Sequence, residues 1–439
     1  MSTPKRVIQI LRRYAPEQWG CNEQVAHNTS RELLKLGVES LIFTTSDART
    51  QAFENNAQVR YFNYFYPYLF LGNEVKEKLD LKGGNPYSFS MASALLREDY
   101  DLVHCHTHSR LAATARLIAR RRNIPYIVSL SSWQSHLPTE MMAELSKSTK
   151  RAPGFGRLLD LVTQPKRVIR DASGIVCNSF EDYQRVKRNY PLTPSLYLPG
   201  AVSIANTNDV ASHLNCPNVI NQSKTQLLCV GRIDSQKNQS LLIELVNKLN
   251  KFAPGKYQLN LVGHIANQSY FEHLHSKILE YGLIDQVAIH TQVQPNSNEL
   301  AAFYQYSDVF ISPSIHEPFC LTILEAWNAG LPVLAANIDS IKSVVLNKIT
   351  GLLFNPYDLD SLCVQLLALE ASSPLRESLI RNSQVQVAQN HSWTSYTEKL
   401  MQFYHEVDAW YRSQHLYRQD LENRLKTTSA RSEERHCEH

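Results

Sequence analysis

The chain has 439 residues, 43% hydrophobic and 20% charged, which excludes a disordered chain and fits two or three domains that each bury a core. A net charge of +4 with no long basic run excludes nucleic-acid binding as the main task. The run Val7 to Leu11 is too short for a signal-peptide core, and no stretch of about 18 apolar residues could span a membrane. The eight cysteines are scattered without metal-type spacing. The expectation is a reducing cytoplasmic setting, with no zinc site.

Val7 to Leu11 predicts a first strand. A loop from Tyr14 to Asn22 leads into a helix from about Glu23 to Leu36, closed by Gly37. Ser40 to Thr44 predicts the next strand. The segment from Tyr61 to Phe70 is rich in Tyr and Phe, and core or a strand edge is its ordinary reading. Leu102 to Cys105 is a strand, followed by a helix to about Arg122. Tyr126 to Leu130, Gly174 to Cys177 and Ser195 to Leu198 continue the series. Residues Val202 to Lys224 are polar and predict a linker or surface excursion. Strands then resume at Leu227 to Val230, Gln258 to Val262, Val287 to His290, Val309 to Ile311 and Val333 to Ala335. This alternation predicts an α/β chain of two doubly wound halves, with a ligand cleft at the strands' carboxyl ends. Ser392 to Arg412 carries Trp393, Tyr396, Leu400, Phe403, Tyr404 and Val407 at helical spacing, and the charged tail after it is expected to be frayed or disordered.

Two segments carry chemistry. In the first, from Ser312 to Gly330, Glu317 and Glu325 stand eight positions apart. They would not stack on one helix face at about 3.6 residues per turn. Pro318 keeps Glu317 in a loop, because a residue before proline favours extended backbone. Glu325 falls early on a helix beginning near Leu321. A helix start at a strand's carboxyl end offers free N–H groups to a phosphate. Capping or surface exposure is the plainer account of either acid taken alone. In the second segment Gly231, Arg232 and Lys237 follow the strand Leu227 to Val230. Two cations there can neutralise a departing diphosphate without a metal. Alone they could equally be surface charges beside Asp234.

The two segments, in this order, resemble the paired signatures of the family-four retaining glycosyltransferases. Supporting matches are Gly20-Cys21-Asn22-Glu23, Asp101 to His106, Asp171 to Ser179, Leu261-Val262-Gly263 and Gly351 to Pro356. The resemblance covers residues 5–410 and implies a GT-B fold, two Rossmann-like domains facing a central cleft. The expected division is an acceptor domain over 1–205, a nucleotide-sugar donor domain over 206–391, a helix over 392–412 crossing back to the first domain, and a charged tail over 413–439.

By resemblance, Arg232 and Lys237 would hold the donor diphosphate. Glu317 would bind hydroxyls of the transferred sugar. Backbone from Phe319 through Cys320 and Leu321 to Thr322 would contact sugar and phosphate. Glu325 would bind the ribose hydroxyls, and Gly20, Gly231 and Gly263 would let backbone approach the donor. Three positions depart from the family pattern. Cys21 replaces the second glycine of the first loop, Cys320 replaces a glycine, and Ser131 stands where a histidine is usual, with His136 five residues on.

Candidate acceptor or sugar contacts are Asn22, His106, Ser131, Lys82 and Asn85. The loop Lys82-Gly83-Gly84-Asn85 reads as flexible or as a plain turn. The helix after His106 carries Arg110, Arg116, Arg120, Arg121 and Arg122, a face suited to an anionic membrane or to plain solvation. The implied reaction moves a sugar from a nucleotide-sugar donor of UDP or GDP type to a carbohydrate, glycolipid or other hydroxyl acceptor. Surface polysaccharide or glycolipid assembly is the common setting. No cofactor and no metal is expected. The rival readings are a non-hydrolysing nucleotide-sugar epimerase and a catalytically inactive member acting through a partner protein.

Overall fold

The computed structural model describes residues 4–14, 21–46, 51–54, 57–69, 72, 75–76, 79–80, 84–130, 155–203, 216–217, 219–295, 297–317 and 321–436, with side chains described as far as residue 414 in the last helix. The first half runs β1 (Arg6–Ile10), α1 (Cys21–Lys35), β2 (Glu39–Thr45), β3 (Gln51–Glu54), β4 (Ala57–Phe62), α2 (Phe89–Arg97), β5 (Leu102–Cys105), α3 (Arg110–Arg122), β6 (Tyr126–Leu130), α4 (Gly156–Thr163), β7 (Gly174–Cys177), α5 (Phe180–Asn189) and β8 (Ser195–Tyr197). Its eight strands lie in the order β3-β4-β2-β1-β5-β6-β7-β8. All pairings are parallel except β3 with β4. Strands β5, β6 and β7 are buried along their whole length because helices cover both faces of a parallel sheet.

The second half runs β9 (Thr225–Val230), α6 (Gln239–Asn250), β10 (Tyr257–Val262), α7 (Gln268–Glu280), β11 (Val287–His290), α8 (Asn298–Gln305), β12 (Val309–Ser312), α9 (Leu321–Asn328), β13 (Val333–Ala336), α10 (Asp339–Lys342), β14 (Leu352–Phe354), α11 (Leu359–Ala371) and α12 (Ser373–Asn390). Its sheet order is β11-β10-β9-β12-β13-β14, all parallel. That order reverses direction between β9 and β12, and ligands of open α/β sheets bind at such a switch point. Helix starts are set by side-chain caps. Ser88, Ser179, Asn267, Ser297 and Ser372 each accept from the backbone N–H three residues on, as a helix N-cap does.

The chain crosses to the second sheet near Val202 and returns near Ser392, and these two passages are bridged side by side. The Val202 N–H donates to the His391 carbonyl at 2.8 Å. The last helix, α13 (Trp393–His436), then packs back on the first half. Trp393, Tyr396, Leu400, Phe403, Tyr404 and Val407 share one buried cluster with Val7, Leu102, Ile127 and Val176. Gly174 permits the closest approach, since a β-carbon there would meet Val407 at 2.4 Å.

The structure departs from the sequence expectations in four places. Strands β3 and β4 form a hairpin that extends the first sheet, and β14 adds a further strand to the second. Strands β3 and β14 are short edge strands and β4 is half-buried, so their patterns carry little periodic signal. The helix expected to end at Arg412 runs on to His436. No Gly or Pro interrupts residues 393–436, and opposite charges recur at helical spacing, as in Asp420 with Arg424 and Glu422 with Lys426.

Helix α3 is not a free basic face. Arg110 pairs with Asp160 at 2.8 Å, and Arg116 and Arg120 both pair with Asp171 at 2.8 Å. Arg122 donates to the Leu95 carbonyl and lies over the Tyr100 ring. Four of the five arginines serve internal contacts. Finally, the described end of the loop at residues 82–85 is fixed rather than flexible. A β-carbon on Gly84 would meet Tyr66 at 2.6 Å. Asn85 accepts from the Arg110 N–H at 2.8 Å and so caps α3, whose own Ser109 makes no side-chain cap.

Candidate active site

The segment joining β9 to α6 is a tight polar turn. Asp234 accepts from the Gln236 N–H at 2.8 Å and starts a 3₁₀ turn over Ser235–Lys237. Asn238 ends it in the left-handed region, at φ 54°. Gln239 is buried and donates to the Arg232 carbonyl at 2.8 Å, which anchors the turn from inside. Gly231 and Gly263 lie against each other at the ends of β9 and β10. A β-carbon on Gly263 would stand 2.0 Å from the Gly231 carbonyl oxygen, so glycine is required there.

The loop between β12 and α9 is clamped onto that turn. The Ile315 N–H donates to the Gln236 carbonyl at 2.9 Å. The Asn238 amide reaches the carbonyls of Pro313 and Pro356, at 3.3 and 3.0 Å, and so ties three loops together. The result brings Lys237 onto Glu317. The ammonium pairs with Glu317 Oε2, and the Ser314 hydroxyl donates to the same oxygen at 3.3 Å. Glu317 is only 6% exposed. Arg232 is turned elsewhere. It is half exposed and pairs with Asp234 at 3.3 Å, beside His264, whose imidazole is shifted toward the neutral form mainly by burial and partly by Arg232. The two cations predicted to act together thus stand on one turn, each beside its own carboxylate.

Helix α9 begins at Leu321, as expected, with Thr322 in its first turn. Its first N–H groups have no partner within the helix and form a positive end just past β12. Leu321 packs against Gly200 of the first half, where a β-carbon would stand 2.5 Å from Leu321 Cδ2. Glu325 lies one turn inside. The Tyr304 hydroxyl at the end of α8 donates to Glu325 Oε2 at 2.7 Å. Burial pushes the Glu325 carboxyl up to about 7, and the Tyr304 hydrogen bond opposes that rise. Phe319 and Cys320 lie outside the described residues. Among the described residues, no cluster of three or more His, Cys, Asp or Glu side chains could hold a metal.

Comparison with known proteins gives this site its family. The model described as "Glycosyl transferases group 1" matches residues 216–386, and the one described as "Glycosyltransferase Family 4" matches residues 23–199. The chain belongs to the family-four glycosyltransferases. An uncharacterized glycosyltransferase of Methanocaldococcus jannaschii is 23% identical over 343 residues, which cover 76% of this chain and 80% of that one. A D-inositol 3-phosphate glycosyltransferase of Corynebacterium aurimucosum is 24% identical, covering 86% and 89%. Among solved structures, the HepE protein of Anabaena, in complex with UDP and glucose, has a TM-score of 0.65 at 16% identity, covering 92% of this chain and all of that one. A sucrose-phosphate synthase of Thermosynechococcus elongatus has a TM-score of 0.66 at 17% identity, covering 92% and 99%. At such identities the structures speak for the fold, which is GT-B.

In the first half of this glycosyltransferase the candidate contacts are differently placed. Gly20, Lys82 and Ser131, with His136, lie outside the described residues. Asn22 is half-buried in the first turn of α1, and Asn85 is the cap of α3. His106 is buried. Its Nε2 bonds to Gln9 Oε1 at 2.7 Å, so the proton sits on Nε2, and burial pushes the imidazole down to about 3. His104 is fully buried beside it, between Ser129 and Tyr404, each at 2.7 Å. On its Nε2 side His106 therefore joins a polar network inside the fold.

Sequence reasoning missed Tyr304, Asn238, Gln239 and His264. Only Asn238 and His264 adjoin residues it had singled out. Tyr304 is 21 residues from its partner, across a strand.

Proposed function

We propose that this glycosyltransferase moves a sugar from a nucleoside-diphosphate-sugar donor, of UDP or GDP type, to an acceptor hydroxyl with retention of anomeric configuration. The observation that carries the reading is the Lys237–Glu317 pair at the carboxyl ends of β9 and β12, beside the start of α9. The donor diphosphate lies against Lys237, Arg232 and the first N–H groups of α9, which together supply its counter-charge without a metal. Glu317, held by Lys237 and Ser314, accepts from hydroxyls of the sugar. Glu325 accepts from the ribose hydroxyls.

Glu317, held by Lys237 and Ser314, serves here to bind the sugar and not as a covalent nucleophile. In this reading the acceptor oxygen attacks the anomeric carbon on the face from which the diphosphate departs. The hydroxyl proton passes to the departing phosphate oxygen. The protein contributes orientation and charge stabilisation.

The acceptor is a carbohydrate, a glycolipid or another hydroxyl compound, held over the first sheet. The setting is the cytoplasm, with an acceptor presented at the inner face of a membrane. Support for a reducing compartment comes from five free cysteines among the described residues. Among those residues no helix is long and apolar enough to cross a membrane.

The test is to incubate the protein with UDP- and GDP-sugars, with and without a panel of hydroxyl acceptors, and to follow the product's anomeric configuration by NMR. Acceptor-dependent release of nucleoside diphosphate with retention supports the reading. Conversion of donor without any acceptor points to an epimerase and overturns it, and so does nucleotide binding with no consumption of donor.

A further inference from the structure

Glu325 has a partner that the proposed reaction does not use. Tyr304 is buried to 5% exposure at the end of α8. Its ring packs against Phe310 of β12, with centroids 5.9 Å apart. The same strand carries the Glu317 loop at its carboxyl end. The hydroxyl is thereby fixed relative to the rest of the donor site, and it donates to one oxygen of Glu325 only. Trp327 on α9 is fully buried, so that helix cannot roll to present Glu325 differently. The other carboxylate oxygen has no hydrogen bond among the described residues. One side of the carboxylate is anchored, and the other is left for a ligand.

We propose that Tyr304 is a positioning residue for nucleoside-diphosphate recognition: its hydroxyl aims the free oxygen of Glu325 and favours the charged carboxylate, so that a ribose diol binds with loss of a proton from this site. The proposal rests on the reading of the donor site given above and deepens it.

The chemistry is a matter of hydrogen-bond direction. Ribose hydroxyls can donate or accept, whereas a carboxylate is an acceptor only and takes both hydroxyls as donors. A protonated Glu325 would present its own donor to them. Burial holds Glu325 up at about 7, so both forms are populated near neutral pH. The Tyr304 hydroxyl donates to the charged form and lowers the cost of reaching it. The surrounding groups leave this pair alone. Cys229 of β9 faces Tyr304, and burial pushes that thiol up to about 12, so it stays neutral. Lys237 and Glu317 act on Cys229 and not measurably on Glu325.

The experiment is calorimetric titration of the full chain with UDP and with GDP from roughly pH 5.5 to 9, for the unmodified protein and for Tyr304→Phe. Phe keeps the ring packed on Phe310, and circular dichroism checks the fold. A free diphosphate titrates in the same range, and the ratio of the two proteins' affinities cancels that contribution. The expected ratio is smallest at pH 9 and grows to about tenfold or more near pH 6, because the variant's Glu325 holds its proton to higher pH. In a Glu325→Gln background the same Tyr304→Phe change should give a ratio flat with pH. A pH-independent ratio between Tyr304→Phe and the unmodified protein overturns the proposal and leaves the donor-site reading standing. Failure of the unmodified protein to bind either nucleotide at any pH overturns that reading, and this inference with it.

Discussion

The carboxyl ends of the two sheets invite comparison, because each gathers polar groups in the same place on the same kind of sheet. In the first half the groups are His104, His106, Gln9, Ser129 and Tyr404. In the second they are Lys237, Glu317, Glu325 and Tyr304. The first set is neutral and joined by hydrogen bonds within the fold. The two N–H groups of Gln9 have three acceptors in reach, the Ala26 carbonyl and the hydroxyls of Ser30 and Ser40, while its Oε1 accepts from His106. Tyr404 brings the last helix into the same network. The second set carries charge, and its members meet across loops rather than inside the sheet. Position at a strand's end therefore does not make a residue functional. A group whose hydrogen bonds are all spent holds the fold, and a group left with a free oxygen or a displaceable partner is available to a ligand.

The sharpest way to break this contrast is at Lys237. Truncation to Ala would strand a nearly buried Glu317 carboxylate and mix a stability loss with a catalytic one. Lys237→Gln keeps a donor toward Glu317 and removes only the charge. Transfer, read as kcat/KM with the best donor, should fall about 10²- to 10³-fold while the melting temperature moves little. Near-normal turnover would mean that Lys237 is as structural as His106. A second blow falls on the backbone. Gly263→Ala drives a β-carbon into the Gly231 carbonyl and must separate the ends of β9 and β10. A loss of about 2 kcal/mol or more in denaturant stability should accompany a weakened nucleotide affinity. Unchanged nucleotide affinity would detach the Gly231–Gly263 contact from the donor site.

The donor half was the more legible of the two, and the reason is local. Gly231, Arg232, Lys237, Glu317 and Glu325 sit within two continuous segments, each just beyond a strand, so spacing along the chain approximates spacing in the fold. Pro318 was enough to place Glu317 in a loop before the helix. Tyr304 was not legible, because its contact with Glu325 forms only when α8 and α9 come together in the fold. The surroundings of His106 were likewise hidden. Its place after β5 suggested a contact, but only the tertiary fold shows Gln9 and His104 closing over it. The arginines of α3 suggested a surface for the same reason. Their partners Asp160 and Asp171 come from 50 or more residues away. Strands β3 and β14 lie at sheet edges and β4 is only half-buried, which blurs the pattern that marks a buried parallel strand.

A smaller effect tests the first half directly. Tyr404→Phe removes the donor or acceptor that His104 uses on its α13 side. The buried imidazole nitrogen is then left unsatisfied, at a cost of about 1–3 kcal/mol. Chemical denaturation should show that loss, while the donor KM stays within about twofold because no donor-site residue moves. A large rise in donor KM would show that the network under the first sheet reaches the site in the second.

The response to pH is the most discriminating, because the two halves should respond with opposite signs. His27, bonded to Tyr14, is pushed down to about 4, and His106 to about 3, both mainly by burial. Unfolded, each titrates near its ordinary value of 6.5. Between those values the unfolded chain binds more protons than the folded one, so stability falls as pH drops below 6.5 and keeps falling toward 4. Glu325 runs the other way. Its folded value of about 7 lies above the ordinary 4.5, so the folded chain binds the extra proton and stability falls as pH rises from 4.5 through 7. Replacing His27 by a neutral residue cannot test this cleanly, since it also breaks the bond to Tyr14. Glu325→Gln can, because the amide keeps an acceptor for Tyr304 and never ionises. In the absence of nucleotide the variant should gain stability over the unmodified protein at pH 8 and lose that advantage at pH 5, as thermal melts at the two values would show. A pH-independent difference would mean that Glu325 is already ionised when the site is empty, and the donor half would then be charged throughout rather than charged on demand.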